Sequence, residues 1–597
     1  MSKYSTLVRI LDQIRQEAAG SDFVEMYCPA PNDFTKINQA RSRAFIHLYL
    51  KVGFGLLDFK EREHYVTDGT ADGGIDGYYI NSDDRVVTFI QSKFRTTENN
   101  FEAKRIELEE ILAMEIDRII QGEEASGAGL EYNGKIKRLM RELSQIKDIG
   151  RYTYEVVLIA NVAGIGDAKL RQLVGGLPVD VIDHERCYDR LVFPVLAGTF
   201  FNASDLSIHI DLSNKSAGSS KIGYSVTTAH GECEITVLFV PTIEIARIMG
   251  RYKNSILRFN PRSYLELEGH SVNDAIQATV QNRETNEFAL FNNGITMLSD
   301  ETHINEKIGQ KNKAQLVVTN PQIINGGQTA YALSRLLEDL PAAEADKLFE
   351  GKEVLLKVIT VASSTAGRED QKLTLIEDIS TATNRQTPVI GADRLSNAPA
   401  HLSIQRALFD RYGLLYERKR GEFADGVYQG YIDSNLVVER NWFFRIYLAS
   451  NGEFRRAAER KLFVRYENAD DVVQSEAALD RFYFGYLAAQ QLDVKRMPHE
   501  RRPVDFYAKI FAVVLRYMPS KVSEFEAAAR AMAGRFPGEW QEFTRRARDG
   551  RKWIIKKVDR VSGEVREGFD QRGWMQSEEI LRDLVNFFSG RTASPGA

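Results

Sequence analysis

Three polar residues, Asp76, Gln91 and Lys93, have the types and spacing that metal-dependent hydrolysis of a phosphodiester bond requires. Gln91 and Lys93 fall near the end of an apolar strand predicted over Arg85–Phe94. Because positions two apart in a strand share a face, their side chains project the same way. Asp76 follows a glycine-rich approach and falls in a second predicted strand, Ile75–Ile80. If the two strands are neighbours, a carboxylate, an amide oxygen and an ammonium group come together.

Each of these groups has a role in such a reaction. Mg²⁺ prefers oxygen ligands and keeps several waters. Asp76 would supply the charged ligand, and Gln91 would supply a carbonyl ligand or position a water molecule. Lys93 would orient or deprotonate the attacking water, or stabilise the charge that develops on the phosphate. The sequence therefore predicts a magnesium-dependent endonuclease, with Mn²⁺ as an alternative ion and these three residues as its catalytic group.

A second acid is expected because glutamine, unlike glutamate, adds no negative charge to the site. Asp72 is the predicted further metal ligand, and Asp68 is equally near in sequence. Glu17 and Glu25 could instead arrive from N-terminal helices, and the sequence does not choose among these acids. The competing interpretation is a plain hairpin whose polar ends are solvated.

Two short motifs in this region resemble those of a known family. They are GIDG (Gly74–Gly77) and QSK (Gln91–Lys93), and a predicted helix over Lys36–Leu57 precedes them. From about Phe34 to Val181 the chain resembles the Mrr-like restriction endonuclease branch of the PD-(D/E)XK superfamily. The resemblance implies a restriction-endonuclease-like α/β/α core. That family usually carries a further acid on its first helix, whereas Lys36–Leu57 contains no Asp or Glu.

Farther along the chain, polar blocks close short apolar runs, and Phe288–Leu290 is predicted as a strand that leads into one of them. The blocks are Asn260–Arg262 (NPR), Phe291–Ile295 (FNNGI), Asn320–Thr329 (NPQIINGGQT), Thr383–Pro388 (TNRQTP) and Glu417–Phe423 (ERKRGEF). A strand, a Gly-Gly turn and a predicted helix over Ala330–Leu337 can bind an anion through backbone N–H groups.

Side chains in these blocks could read base or ribose edges through amides and neutralise phosphates through cations. The predicted ligand or nucleic-acid contacts are Asn292, Asn293, Asn325, Gln328, Thr329, Asn384, Arg385, Gln386, Arg418, Lys419 and Arg420. The alternative is that Asn-Gly and Asn-Pro are simply turn residues. Together and in this order, the blocks look like the abortive infection phage resistance (AIPR) family over about Phe239–Phe423. That resemblance implies a bacterial antiphage protein that acts in abortive infection.

A basic cluster with an aromatic residue occurs near the C-terminus, and such a cluster can follow a phosphate backbone and stack on a base. Its predicted contact residues are Arg545, Arg546, Arg548, Lys552 and Trp553. A solvated helix face is the alternative interpretation of these charges.

Composition limits the remaining possibilities. The chain has 597 residues, a formal net charge of −5 and three distant cysteines, so a disulfide framework is not expected. We find no zinc-ligand spacing and no apolar run long enough to cross a membrane. These features predict a cytoplasmic protein with no membrane partner.

The predicted fold class is α/β multidomain. We expect an Mrr-like nuclease domain at 1–212, a linker at 213–223, a central α/β AIPR core domain at 224–430 and a mainly helical C-terminal region at 431–597, with a loop over Asp549–Arg572.

The leading hypothesis is an antiphage effector that cleaves nucleic acid, DNA rather than RNA, and uses the AIPR region for sensing or positioning. Alternatives are a catalytically inactive binding or regulatory module and a nucleotide-binding module. A homodimer would place two active centres on a duplex.

Overall fold

The computed structural model of the chain divides into two compact units. The first comprises Met1–Pro388 and Arg420–Ser434, and the second comprises Val389–Lys419 and Asn435–Ala597. The residues that the structure describes are 2–82, 85–104, 114–162, 165–200, 207–212, 222–228, 231–257, 260, 270–281, 285–306, 314–361, 379, 399–419, 421–459, 475–492, 502–550, 552–558 and 565–589.

The N-terminal part of the first unit surrounds four strands with helices. The helices are α1 (Lys3–Gln16), α2 (Val24–Tyr27), α3 (Phe34–Phe54), α4 (Phe59–His64), α5 (Glu98–Glu102), α6 (Ile116–Ile120), α7 (Gly134–Gln145), α8 (Asp167–Leu173), α9 (His184–Cys187) and α10 (Phe193–Ala197). The strands are β1 (Gly77–Asn81), β2 (Val86–Ser92), β3 (Thr153–Ile159) and β4 (Val179–Ile182). The periodicity of Phe101–Gln121 predicts one helix, which is wrong at Ala103–Lys104 and at Met114–Glu115, since these described residues are not helical; 105–113 lie outside the described residues.

Local sequence signals explain where these elements begin and end. Asp33 and Asp58 accept hydrogen bonds from backbone N–H groups in the first turns of α3 and α4, as N-cap residues do. Helix α3 ends at Gly55, whose φ of 64° is left-handed and costs glycine little. Strand β2 is buried along nearly its whole length, which accounts for its continuous apolar run.

The four strands form one mixed sheet in the order β1-β2-β3-β4. Strand β1 is antiparallel to β2, with Gly77 opposite Ile90, whereas β2, β3 and β4 are parallel to one another. Parallel neighbours need crossover connections, which α5, α6 and α7 supply between β2 and β3 and α8 supplies between β3 and β4. The carboxyl ends of β2, β3 and β4 therefore meet at one edge of the sheet.

Alternate residues of the sheet enter a hydrophobic core on the side of helix α7. Tyr78, Phe89 and Val156 pack there with Ile136 and Leu139 of α7. Helix α3 also contacts β2. The sheet is thus held between helices, which keeps its strand ends in fixed relative positions.

The central part of the first unit contains two further sheets. Its strands are β5 (Ser207–Leu212), β6 (Ile222–Thr228), β7 (Gly231–Pro241), β8 (Ile295–Ser299), β9 (Glu301–Glu306), β10 (Ala314–Thr319), β11 (Gln322–Asn325) and β12 (Glu353–Val361). Its helices are α11 (Thr242–Tyr252), α12 (His270–Gln281), α13 (Phe288–Phe291), α14 (Gly327–Glu338) and α15 (Ala342–Phe349), and a short helix, Ala424–Tyr428, joins the unit from later in the chain. The sheet orders are β11-β8-β12-β7-β6 and β5-β10-β9.

Two predictions in this region need correction or restriction. The apolar run Phe288–Leu290 is a helical turn and not a strand, because the extended segment begins only at Ile295, after the Asn-Gly turn. Most of the predicted linker lies outside the described residues, and its last residues, Ile222 and Gly223, already belong to β6.

The second unit is mainly helical. Its helices are α16 (Pro399–Tyr412), α17 (Arg440–Ser450), α18 (Phe454–Ala457), α19 (Glu476–Leu492), α20 (Val504–Tyr517), α21 (Phe525–Met532), α22 (Phe536–Asp549), α23 (Gln571–Gln576) and α24 (Glu579–Phe588). Its short strands are β13 (Leu415–Glu417), β14 (Val437–Glu439), β15 (Ile554–Val558) and β16 (Val565–Phe569). The loop predicted over Asp549–Arg572 is therefore wrong in part, since β15 and β16 pair as an antiparallel hairpin.

The predicted mixed α/β character of the chain is confirmed. Among the described residues, no helix combines the length and the apolar character needed to cross a membrane.

Candidate active site

Asp76 and Gln91 meet where strands β1 and β2 pair. Gly77 lies opposite Ile90, and the backbone N–H of Asp76 donates to the Ile90 carbonyl oxygen at 2.9 Å. Asp76 immediately precedes β1, and its Oδ2 accepts from the backbone N–H of Ser92, the residue after Gln91, at 2.7 Å. The sequence-based prediction that the two strands are neighbours is confirmed.

The glycine-rich segment before β1 folds back over Asp76. The backbone N–H groups of Thr67 and Asp68 both donate to the Asp76 carbonyl oxygen, at 2.9 and 3.0 Å. Gly73 and Gly74 have φ values of 64° and 76°, which are left-handed and favour glycine. The chain is thereby turned so that residues 68 and 72 return to the start of β1.

This fold-back assembles an aspartate cluster, which consists of Asp68, Asp72 and Asp76. Each residue offers one carboxylate oxygen, and these three oxygens all lie within 4.8 Å of one another. Asp72 is held in place because its Oδ1 accepts from the Gly74 N–H at 2.9 Å and its Oδ2 from the Gly69 N–H at 3.2 Å. Of the acids that the sequence left open, Asp68 and Asp72 are therefore the two that the structure brings to Asp76.

Glu17 belongs to a different buried network. Its carboxylate bonds Lys51 Nζ at 2.9 Å and pairs with the fully buried guanidinium of Arg62. Within the described part of the chain, neither Glu17 nor Glu25 joins a group of three acids arranged around a common point.

The Gln91 side chain is nearly fully buried, with 2% of its surface exposed. Its amide Nε2 donates to the Gly74 carbonyl oxygen at 3.0 Å. Gln91 thus ties β2 to the glycine-rich segment that carries Asp72. This contact gives Gln91 a positioning role, whereas its predicted role as a metal ligand stays a prediction.

Lys93 directly follows β2, next to Ser92, whose backbone N–H bonds Asp76. Its backbone N–H donates to the Ile159 carbonyl oxygen at 3.0 Å, which extends the parallel pairing with β3 beyond Ser92. Its positive charge lowers the pKa of both Asp72 and Asp76, so the ammonium group acts on both carboxylates. The side chain is half-buried. The sequence prediction that Asp76, Gln91 and Lys93 converge agrees with these positions.

Burial dominates the electrostatics of Asp76. Only 7% of the residue is exposed, and this burial raises its pKa from 3.8 to about 7. The Ser92 N–H, which donates to Asp76 Oδ2 at 2.7 Å, and the charge of Lys93 lower the pKa, whereas the neighbouring Asp68 and Asp72 raise it. Burial also raises the pKa of Asp72.

A divalent cation fits this arrangement. Mg²⁺ coordinates oxygen at about 2.1 Å, so two ligand oxygens on one ion lie at most about 4.2 Å apart, and the three carboxylate oxygens, all within 4.8 Å of one another, are close to this spacing. A cation would also offset the charge that burial makes costly on Asp76. Asp68 is held by Arg43, whose Nε lies 3.0 Å from Asp68 Oδ2. Arg43 was not singled out from sequence, because a surface helix position carries no signal of its partner.

The central polar blocks also come together, at the β8 and β11 end of the five-stranded sheet. Asn292 Nδ2 donates to Thr329 Oγ1 at 3.1 Å, and Asn292 Oδ1 accepts from the Gly294 N–H at 2.9 Å. A Cβ atom on Gly326 would lie 2.8 Å from the Gly294 carbonyl oxygen. FNNGI and INGGQT thus pack against each other, and turn formation accounts for much of their composition. Asn293 is exposed, and Asn325 and Gln328 are half-buried.

Other predicted contacts divide among the two units and the undescribed residues. Asn384, Arg385, Gln386 and Arg420 lie outside the described residues. Arg418 and Lys419 belong to the second unit, where Lys419 is buried with 4% exposed and is poorly placed to reach a phosphate in solution.

The C-terminal basic cluster is partly paired with acids. Arg546 bonds Glu542 at 2.5 Å, and Lys552 bonds Glu579 at 2.5 Å. Trp553 packs against the core of the second unit. Arg545 and Arg548 are exposed on α22. These contacts favour a solvated helix face over a nucleic-acid surface.

Comparison with known sequences bears on the central region. The family described as AIPR protein matches residues 257–437, a range that contains all five polar blocks. No curated protein and no solved structure matches the chain. The match covers less than half of the chain and does not reach the aspartate cluster, so the Mrr-like nuclease domain stays a prediction. The matched range overlaps Phe239–Phe423, where the order of the polar blocks indicated a resemblance to this family.

Proposed function

We propose that the chain is an antiphage defence nuclease whose N-terminal part hydrolyses phosphodiester bonds with Mg²⁺. One observation carries the proposal, namely the convergence of Asp68, Asp72 and buried Asp76 beside Lys93 at the paired ends of two strands. Carboxyl groups with shifted pKa values, grouped with a lysine or arginine side chain at the end of a strand, are typical of catalytic sites. The AIPR region supports the defence role.

The side chains in and around the aspartate cluster would have different roles in the reaction. Asp76, oriented by the Ser92 N–H, and Asp72, oriented by Gly69 and Gly74, would hold the cation. When bound, Mg²⁺ polarises the phosphate and makes a bound water more acidic. Lys93 orients or deprotonates the attacking water, or stabilises the charge that builds on the phosphate. Gln91 keeps the Asp72 segment against β2.

DNA is the favoured substrate by analogy with restriction enzymes, and RNA is the alternative. The AIPR region would sense a signal of infection or position the substrate. A homodimer would supply two active centres for cutting both strands of a duplex. The protein would act in the cytoplasm, where its cysteines stay reduced.

A second candidate function has its own support. The two Asp72 oxygens already accept backbone N–H groups, Asp68 is paired with Arg43, and Gln91 stands where a second acid could provide charge. These contacts also suit a degenerate site that binds nucleic acid without cutting it. In that case the chain would be a regulatory module of a defence system.

Cleavage assays with matched variants separate these functions. Plasmid DNA and RNA are incubated with the full chain in Mg²⁺, in Mn²⁺ and in EDTA. Asp76→Asn and Lys93→Gln are compared with Asp148→Asn and Lys147→Gln, which change exposed residues just before β3, at the opposite edge of the sheet. We expect metal-dependent cleavage that falls at least about a hundredfold in Asp76→Asn and Lys93→Gln and persists in both controls. Equal cleavage by all variants, or none by the wild type with either metal, rules out the nuclease.

A further inference from the structure

A cleft adjoins Lys93 at the sheet edge where β2, β3 and β4 end. It is lined by Lys93 and Arg95 after β2, by Asn161 after β3, by Asp183 and His184 after β4, and by Lys104 after α5. In open α/β sheets, ligands bind outside the carboxyl ends of the strands. Apart from Lys93, none of these residues stands out in the sequence, because only the strand order brings their segments to one edge.

The polar lining of the cleft is predominantly cationic. Lys93, Arg95 and Lys104 face one acid, Asp183, whose Oδ1 is engaged as the N-cap of α9 and accepts from the Arg186 N–H at 2.9 Å. The Asn161 amide donates to the Glu102 carbonyl oxygen at 3.2 Å. His184 Nδ1 is buried and has no hydrogen-bond partner within the described ranges. The cleft therefore suits an anion that accepts several hydrogen bonds.

The apolar part of the lining limits which anion this is. Phe45 and Phe101 also line the cleft but are 1% and 7% exposed, so their rings offer no free face on which a base could stack. A phosphate, which needs only cations and N–H donors, matches the lining better than a nucleobase does. Lys93 lines the cleft and directly follows Ser92, whose backbone N–H donates to Asp76 Oδ2 at 2.7 Å, so the two sites adjoin each other.

We propose that this cleft binds a backbone phosphate of the nucleic acid, beside the phosphodiester held at the aspartate cluster and without reading its sequence. The identification of the ligand as nucleic acid rests on the proposed function. Arg95 and Lys104 are the anchoring residues. Because they contact phosphate alone, they should hold DNA and RNA alike.

Binding without metal tests this proposal separately from cleavage. Fluorescence anisotropy in EDTA measures the affinity of the full chain for labelled DNA and RNA duplexes of the same sequence over a range of salt concentrations. The variants are Lys104→Gln, Arg95→Gln and Arg95→Lys, with Lys147→Gln as the control at the opposite sheet edge. Thermal melting of each variant checks that it folds.

Each lost phosphate contact should make the salt slope, d log K/d log[salt], less negative by about 0.9 on a DNA duplex, which corresponds to about eightfold weaker binding at about 0.1 M salt. We expect this loss in Lys104→Gln and Arg95→Gln for every sequence tested. Arg95→Lys should keep most of the affinity, and Lys147→Gln all of it.

Several results would overturn the proposal: no binding by the wild type, wild-type affinity in both glutamine variants, or a loss confined to one sequence. If binding falls as expected but the wild type never cleaves, the proposed function fails and the phosphate cleft stands. If the wild type cleaves while Lys104→Gln and Arg95→Gln bind normally, the cleft proposal alone fails.

Discussion

Replacing the buried carboxylate of Asp76 by an amide should stabilise the metal-free protein, and the gain should depend on pH. Burial raises the pKa of Asp76 from 3.8 to about 7. Between about pH 4 and pH 7, the folded state keeps a proton that the unfolded state has released, so stability falls as pH rises through this window. At about 1.36 kcal/mol per pH unit, the charged carboxylate costs about 4 kcal/mol above pH 7.

Asp76→Asn removes this cost because the amide does not ionise and can still accept from the Ser92 N–H through its oxygen. Thermal melting in EDTA at pH 5 and pH 8 measures the effect. We expect the variant to melt higher than the wild type at pH 8, and the difference to shrink strongly at pH 5. Adding Mg²⁺ at pH 8 should raise the melting temperature of the wild type but not of Asp76→Asn, since a ligand stabilises the folded state that binds it.

A different outcome would refute the reasoning. If Asp76→Asn lowers the melting temperature by the same amount at both pH values, Asp76 is not a costly buried charge. Asp148→Asn, an exposed change, controls for the loss of one negative charge and should show no such pH dependence.

Two packing predictions accompany this one. Tyr431→Phe removes the hydroxyl that accepts from buried Lys51 Nζ at 2.8 Å, and a denaturant titration should show a loss of about 1–3 kcal/mol in the free energy of unfolding. The control Tyr428→Phe changes an exposed ring and should leave the free energy of unfolding almost unchanged. Gly326→Ala places a Cβ atom 2.8 Å from a carbonyl oxygen at a φ of 83°. It should lower the melting temperature more than Gly351→Ala does, because Gly351 has a similar φ of 71° but no atom within 4 Å of the added Cβ. Equal losses in the two variants would mean that the close approach at Gly326 does not restrict the side chain.

Strand periodicity was sufficient to predict that the strand ending at Gln91 lies beside the strand that starts after Asp76. An apolar run that ends in Gln91 and Lys93 specifies their common face, and a neighbouring strand that starts after Asp76 is enough to bring the three together. This part of the site is local, because a tight antiparallel pair connects residues close in sequence. The mixed α/β class followed from the alternation of strand and helix patterns in the same way.

Asp72 was the predicted further metal ligand, but the sequence could not exclude Glu17 or Glu25, because the choice depends on loop conformation. Asp68 and Asp72 reach Asp76 only because Gly73 and Gly74 take left-handed φ values and the segment folds back. Periodicity says nothing about such a turn, so Glu17 was an equal candidate until its bonds to Lys51 and Arg62 were seen.

The cationic cleft could not be predicted from the sequence, for a different reason. Arg95, Lys104 and His184 come from segments that are distant in sequence, and only the order β2-β3-β4 brings them to one edge. Short apolar runs are ambiguous as well, which is why Phe288–Leu290 was expected to be a strand and is a helical turn.

The central claim is that the aspartate cluster holds a divalent cation, and titration of the full chain with Mn²⁺, followed by electron paramagnetic resonance of the free ion, tests it most directly. The wild type should bind Mn²⁺ in competition with Mg²⁺, Asp76→Asn should lose this binding, Asp72→Asn should weaken it, and Asp148→Asn should leave it unchanged. Mn²⁺ binding that is as strong in Asp76→Asn as in the wild type would contradict the account.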